Sequence, residues 1–483
     1  MSASSIVAAV CASADRHPGK TAIIFGEQEV SYVELIRRAQ SAASYIAQAT
    51  TGEAVGLLLP NSLDFAPYVL GALWAGKTVA VMPTLAPAPL LKFMAAEARL
   101  STVFTSSELA PKLAEAGVAH AVIDTGYPTA SEFQPQPLTQ QAAVLLYTSG
   151  TTGRPKTVAL SERNILSNVQ GCCEGTGFDG KQVMLAILPL FHAYGLTVTL
   201  LLPLITGSTV VIAERFAPRT VLSLIEQHRV TCIVAVPSQY RVLALDPTTC
   251  NASSLWLCIA GAERLPDTTE REFTAKFGHP VLPGYGATEV SPVISLNVPE
   301  TNRPASVGKP LPGVKVSIRS EEGALCRVGE VGEICVEGPN VMLGYLNDAE
   351  ATAKKIRNGA LYTGDKGFFD ADGYLYISGR ADEMIKVGGE KIYPVELENA
   401  IERIDGVEEV AIIALPDERH GLRLHAFVQR KPGVQLDEAA LRAACREVLE
   451  PYKIPRTFTF VENMPRTITG KTDKRSLATS AAE

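Results

Sequence analysis

The sequence predicts an α/β protein with more than one domain, and three observations carry that reading. Short runs of β-branched and aliphatic residues alternate with longer amphipathic runs, the pattern of strands layered with helices. Ala54-Val55-Gly56-Leu57-Leu58-Leu59 precedes a helical stretch from Asp64 to Ala75, and Thr209 to Ile212 precedes another from Pro218 to His228. A chain of 483 residues with 46% hydrophobic content can also fill more than one core. Finally, the texture changes at Asp382: 33 of the 102 residues from 382 to 483 are charged, against 20% for the whole chain. A smaller domain has more surface per residue. The division is placed there, giving a large N-terminal domain of layered mixed sheets and helices (1–381) and a small C-terminal domain (382–483).

From the N-terminus onward, Met1-Ser2-Ala3-Ser4-Ser5 has no basic leader, and the apolar run Ile6 to Ala12 is short and closely followed by Asp15 and Arg16. A secretory signal is not expected. The segment from Val183 to Ala213 has no Asp, Glu, Lys or Arg, but Pro189, Gly195, Pro203 and Gly207 cut it into pieces shorter than the roughly 20 residues a membrane span needs. It reads as strand, loop, buried helix and strand, with no transmembrane segment. Nine cysteines are scattered without a CxxC, which points to neither zinc nor a disulfide framework and fits a reducing cytoplasmic setting. The net charge of −7 speaks against nucleic acid as a partner while leaving room for a local basic site. Thr125 to Gln141, polar and proline-rich, reads as a surface crossing.

The densest chemistry lies in Tyr147-Thr148-Ser149-Gly150-Thr151-Thr152-Gly153-Arg154-Pro155-Lys156, with four aliphatic hydroxyls, two glycines and a lysine between apolar runs. Glycines let backbone N–H groups approach an anion, hydroxyls add neutral donors, and Lys156 supplies a point charge suited to polyphosphate. The flanks, Ala142 to Leu146 and Val158 to Leu160, read as buried strands, and a helix is expected only after Ser161, an N-cap candidate. A P-loop would instead place Gly directly before the lysine and a helix directly after it. Pro155 occupies that place. An ordinary hairpin turn would need neither the hydroxyl density nor the lysine.

Further motifs follow in order: Leu188-Pro189-Leu190-Phe191-His192-Ala193-Tyr194-Gly195-Leu196, Ala260-Gly261-Ala262-Glu263, Gly284-Tyr285-Gly286-Ala287-Thr288-Glu289, Tyr362-Thr363-Gly364-Asp365, Gly379-Arg380-Ala381-Asp382 and Pro465-Arg466-Thr467-Ile468-Thr469-Gly470-Lys471. With these, nearly the whole chain resembles the adenylate-forming superfamily of acyl-CoA synthetases, aryl-CoA ligases, peptide-synthetase adenylation domains and beetle luciferases. The resemblance implies ATP with Mg²⁺ and a small mobile α+β C-terminal domain. It gives the phosphates to Thr148, Ser149, Gly150, Thr151, Thr152, Gly153 and Lys156. Adenine falls to Gly261, Ala262, Glu263, Gly284, Tyr285 and Gly286, and the ribose to Asp365 with Arg380. Thr288 is matched to the α-phosphate, Glu289 to the metal, and Lys471 to the carboxylate and α-phosphate oxygens during adenylation.

The same likeness places His192 beside the attacking carboxylate and lets Tyr194 line the acid pocket, with Val236 and Ala260. Taken alone, a histidine in an uncharged segment reads as a satisfied core residue and a terminal lysine as solvated. Peptide-synthetase domains carry an aspartate where His192 stands, so an α-amino group would be desolvated here without a partner. Ala193-Tyr194, Val234 to Pro237 and Leu257 to Ala260 offer no cation for a second carboxylate either, so an apolar monocarboxylic acid is expected. A fatty and an aromatic acid both satisfy that description. Asp382 matches the hinge about which the C-terminal domain rotates. Gly388 and Gly389, within Lys386 to Ile392, match the loop beside the thiol. Lys474 and Arg475 read as a basic tail.

The resulting expectation is an ATP-dependent acid:thiol ligase, with a fatty acid and coenzyme A as substrates. The alternatives are an aryl acid, a phosphopantetheinyl carrier protein as acceptor, a luciferase-like oxidation on the same scaffold and a catalytically silent nucleotide binder. The joint presence of Lys156, Glu289, Asp365 and Lys471 disfavours the last.

Overall fold

A computed structural model describes residues 5–123, 133–138, 140–148, 155–380, 385–387, 390–417, 421–466 and 472–481. By internal contacts the chain forms two compact units. One comprises residues 1–262, 270–316 and 336–361, and the other 263–269, 317–335 and 362–483. The second unit thus includes segments that precede Asp382 in the chain. Asp382 itself lies outside the described residues, and the 381/382 boundary stands as a proposal.

The first unit is built on two mixed sheets flanked by helices, as the alternation of runs predicts. The nine-stranded sheet has the order Lys309–Pro310, Val293–Leu296, Leu282–Gly286, Leu257–Ala260, Cys232–Ala235, Val183–Ala186, Thr209–Ile212, Thr21–Phe25, Gln28–Ser31. The six from Leu282–Gly286 to Thr21–Phe25 run parallel to one another, joined by crossovers, and the outer pairings to Val293–Leu296 and Gln28–Ser31 are antiparallel. Several of the six, such as Cys232-Ile233-Val234-Ala235, are buried on both faces, which is why they read as continuous apolar runs. The seven-stranded sheet has the order Gly344–Tyr345, Thr157–Leu160, Val144–Tyr147, Thr78–Val81, Ala54–Leu58, Val103–Thr105, His120–Val122.

The uncharged segment from Val183 to Ala213 folds as the sequence suggests. The strand Val183–Ala186 is followed by a loop, a wide helical turn Tyr194–Leu201 that tightens into Leu202–Thr206, and the strand Thr209–Ile212. Leu196, Leu200 and Leu204 are fully buried. Among the described residues no helix is long and apolar enough to cross a membrane.

A five-stranded sheet lies mostly in the second unit. It orders Lys315–Arg319, Gly332–Glu337, Ala360–Phe369 and Ile356–Arg357, with Leu375–Arg380 also paired to Ala360–Phe369. The C-terminal part of that unit is α+β. Val407–Asp417 pairs antiparallel with Gly421–Arg430, which runs parallel to Thr457–Val461. The helices Pro394–Glu402 and Glu438–Val448 pack Leu397, Ile401, Leu441 and Cys445 into a core of their own. The basic tail is corrected. Lys474 opens the helix Lys474–Ser480 behind an Asp473 cap and lies 2.8 Å from Glu398 Oε1, so it is a paired structural cation. Most of the surface crossing at 125–141 falls outside the described residues.

Candidate functional site

Four adjacent parallel strands of the nine-stranded sheet end where the motifs begin. His192 follows Val183–Ala186, Val236 follows Cys232–Ala235, Gly261 follows Leu257–Ala260, and Tyr285 lies at the end of Leu282–Gly286. Parallel neighbours put all four carboxyl ends on one edge, where an open α/β sheet offers a crevice to ligands.

The turn carrying His192 is clamped from a distance. The buried Asn61 side chain donates to the carbonyls of Leu188 (2.9 Å) and Ala213 (3.2 Å), and its Oδ1 accepts the N–H of Leu190 at 2.9 Å. The His192 N–H donates to the Pro189 carbonyl at 3.1 Å, and the imidazole packs against Phe191 with ring centroids 4.6 Å apart. Tyr194 lies against the backbone of Gly261: a Cβ there would stand 2.8 Å from its Cε1 and its Oη. Only a residue without a side chain leaves the ring where it is. Burial pushes the Tyr194 hydroxyl well above the usual phenol range, so it stays protonated and neutral. Ala262, next in the chain, is held at φ +71°, a left-handed conformation uncommon outside glycine.

The segment expected to hold phosphates connects Val144–Tyr147 to its antiparallel partner Thr157–Leu160, and the helix Glu162–Thr176 starts behind it. The Ser161 hydroxyl accepts the Asn164 N–H at 3.1 Å, as the N-cap reading requires. Residues 149–154 lie outside the described residues, so Ser149, Gly150, Thr151, Thr152 and Gly153 keep their roles as proposals. Thr148 is tied to the far side of the loop, its N–H donating to the Lys156 carbonyl at 3.0 Å.

The helix then braces the turn Thr288–Val290 that holds Glu289. Asn168 donates to the Val293 carbonyl at 2.7 Å and accepts the Val293 N–H at 3.2 Å, while Asn164 donates to the carbonyls of Pro339 and Val341, both at 2.7 Å. Asn340 donates to the Val290 carbonyl at 3.0 Å, and the Met342 N–H donates to the Glu289 carbonyl at 2.8 Å. The Tyr345 hydroxyl donates to Glu289 Oε1 at 2.8 Å, and the Lys156 ammonium lies 4.7 Å from the centroid of the Tyr345 ring. Lys156, Tyr345 and Glu289 therefore form one cluster.

In the second unit, Asp365 and Arg380 face each other across paired strands. Arg380 Nη1 is 3.2 Å from Asp365 Oδ1. Thr363 Oγ1 accepts the Asp365 N–H at 3.0 Å and donates to the Ile334 carbonyl. Gly388 and Gly389 fall between two short paired strands, Ile385–Val387 and Glu390–Ile392, and are themselves outside the described residues, as is Lys471.

The chain's sequence matches the AMP-binding enzyme family over residues 10–346 and the C-terminal domain of AMP-binding enzymes over 396–471. The chain belongs to this family. The AMP-binding enzyme is 32% identical to the long-chain-fatty-acid–CoA ligase of Bacillus subtilis, the match covering 98% of this chain and 93% of that protein. It is 34% identical to the sulfoacetate–CoA ligase of Cupriavidus necator, covering 89% and 88%. Among solved structures, ATP-bound MatB from Rhodopseudomonas palustris superposes with a TM-score of 0.91 at 29% identity, covering 99% of each chain. This AMP-binding enzyme is an AMP-forming acid-thiol ligase of the acyl/aryl-CoA ligase type, in an ATP-dependent family.

Sequence reasoning missed Asn61, Asn164, Asn168 and Tyr345. The two helix asparagines, four residues apart, are the one signal it had: a polar pair on one face of a helix.

Proposed function

We propose that this AMP-binding enzyme activates a fatty acid: the carboxylate attacks the α-phosphate of ATP, pyrophosphate leaves, and the thiol sulfur of coenzyme A attacks the acyl carbonyl, releasing AMP and a proton. The observation that carries the choice of acid is the uncharged strand edge formed by Tyr194, Val236 and Ala260 around Gly261. It gives an apolar chain a surface and a second carboxylate no cation. An aryl acid meets the same surface and is the second reading, and a carrier-protein thiol is the alternative acceptor.

His192 is assigned to the attacking carboxylate, Tyr285 with Gly261, Ala262, Glu263, Gly284 and Gly286 to adenine, and Asp365 with Arg380 to the ribose. Lys156 takes the phosphates, and Thr288 the α-phosphate. Lys471 is assigned to neutralising oxyanion charge during adenylation, and Asp382 to the hinge. For Mg²⁺, the donor chemistry fits. Glu289 offers a carboxylate beside the Thr288 hydroxyl, and hard oxygen ligands completed by substrate phosphates are what magnesium takes. When bound, it would neutralise phosphate charge. Nine free cysteines support a reducing, cytoplasmic setting.

The test is pyrophosphate release over a panel of fatty, aromatic and dicarboxylic acids with coenzyme A. Preference for a medium- or long-chain monocarboxylate supports the assignment, and preference for a dicarboxylate removes it.

A further inference from the structure

Tyr345 lies outside every motif given a role above, yet it touches two of the groups assigned to ATP. We propose that Tyr345 is a positioning residue: its hydroxyl aims the Glu289 carboxylate, and its ring holds Lys156 apart from that carboxylate. The inference rests on the reading of Glu289 as the magnesium ligand.

The tyrosine is seated rigidly. Gly344 and Tyr345 pair antiparallel with Ala159 and Val158, in the strand that leaves the phosphate loop. The Tyr345 N–H donates to Thr352 Oγ1 at 2.9 Å, and that hydroxyl donates to the Asp348 carbonyl at 2.8 Å. Gly344 has φ +148°, and a Cβ there would stand 2.8 Å from Thr352 Cγ2, so the position before the tyrosine has no room for a side chain. Tyr345 is 8% exposed.

Both ends of Glu289 are held by one short segment. The Met342 N–H takes its carbonyl, and three residues later the Tyr345 hydroxyl takes Oε1 at 2.8 Å. Among the described residues, Tyr345 is the group bonded to that carboxylate. Magnesium demands near-octahedral geometry, so a ligand fixed through one oxygen presents the other with little reorganisation. The ring has a second task. Lys156 Nζ lies 4.7 Å from its centroid, within cation–π range. Without the ring, ammonium and carboxylate could pair directly and cancel the two charges that ATP and its metal require.

The experiment uses the full-length chain and compares wild type, Tyr345→Phe, Tyr345→Leu, Glu289→Gln and the Tyr345→Phe/Glu289→Gln double variant. Calorimetry measures ATP affinity with excess Mg²⁺ and with EDTA, and pyrophosphate release is titrated against Mg²⁺. Tyr345→Phe keeps the ring, so it should raise half-saturating Mg²⁺ about 10-fold, the lower end for loss of a ligand's hydrogen-bond partner, with ATP affinity in EDTA unchanged. Tyr345→Leu should weaken ATP binding in EDTA as well. In the Glu289→Gln background, Tyr345→Phe should change nothing further. A Tyr345→Phe enzyme with wild-type magnesium dependence, altered only in melting temperature, overturns the proposal. If Glu289→Gln does shift that dependence, the metal assignment survives this outcome. If Glu289→Gln leaves it at the wild-type value, assignment and proposal fall together.

Discussion

Replacing Gly261 by alanine adds one methyl against the Tyr194 ring, which lines the proposed acid site, and the geometry gives the consequence. The new Cβ would lie 2.8 Å from Tyr194 Cε1 and Oη and 2.9 Å from Cζ. Ordinary carbon contacts begin about 0.6 Å farther out, so the ring must be displaced by at least roughly that much; overpacking of this kind costs about 1–3 kcal/mol. Since Gly261 does not use a left-handed backbone, alanine itself introduces no strain there. The ring lines the pocket in the proposed reading, so a shift should lower kcat/KM for bulky acids about 10-fold relative to small ones, within the range one methyl group gives in an apolar pocket. The assay is pyrophosphate release with an acid series, in four proteins: wild type, Gly261→Ala, Tyr194→Ala and the double variant. Tyr194→Ala alone should shift preference towards bulkier acids. In its background the added methyl meets no ring, so Gly261→Ala should cost little, giving a coupling of about 1–2 kcal/mol. Equal losses from Gly261→Ala in both backgrounds would refute the contact as the cause.

Asp365→Ala should raise the KM for ATP by about 10–100-fold, the loss of hydrogen bonds to a charged acceptor, with the acid KM unchanged; a raised acid KM alone would contradict the ribose assignment. Lys471→Ala should cut acyl-adenylate formation by about 10²–10³ while leaving thioester formation from preformed adenylate near wild type. Asp382→Pro should do the reverse, because proline fixes φ at the hinge. Parallel loss of both half-reactions in either folded variant defeats the domain-rotation reading. In the second unit, burial pushes the Glu402 carboxyl up to about 7 from 4.5, against the pull of the Arg264 guanidinium 2.5 Å away. A raised folded value means stability that is full below pH 4.5 and lost as pH rises through about 7. Thermal melts of Glu402→Gln should therefore match wild type near pH 5 and exceed it near pH 8, by up to about 3 kcal/mol; a constant difference across that range would exclude this titration.

The parts of the site written in local chemistry were legible. Two apolar runs around a Gly- and Thr-rich segment mark the hairpin of Val144–Tyr147 and Thr157–Leu160, and Ser161 marks where the next helix starts, because each signal is complete within a few residues; the phosphate role of the loop between them stays a proposal. The order of strands was not legible. Val183–Ala186 sits between Cys232–Ala235 and Thr209–Ile212, a choice made by crossovers and not by any residue in the strand. Long-range polar bonds were also silent. Tyr345 and Glu289 are 56 positions apart, and Asn168 meets Val293 across 125. Asn61 looks like a turn residue until the fold brings Leu188, Leu190 and Ala213 around it. Lys474 failed for a related reason, since its partner Glu398 lies on a helix from another part of the chain.

The most direct test of the central claim is product analysis of the purified chain with ATP, Mg²⁺ and a long-chain fatty acid, before and after coenzyme A is added. The proposed function predicts that, without coenzyme A, pyrophosphate is released in an acid-dependent burst and acyl-adenylate stays on the enzyme. Adding coenzyme A should then release AMP and acyl-CoA in equal amounts. Formation of ADP and phosphate, or acyl-CoA without a prior acid-dependent pyrophosphate burst, would contradict it.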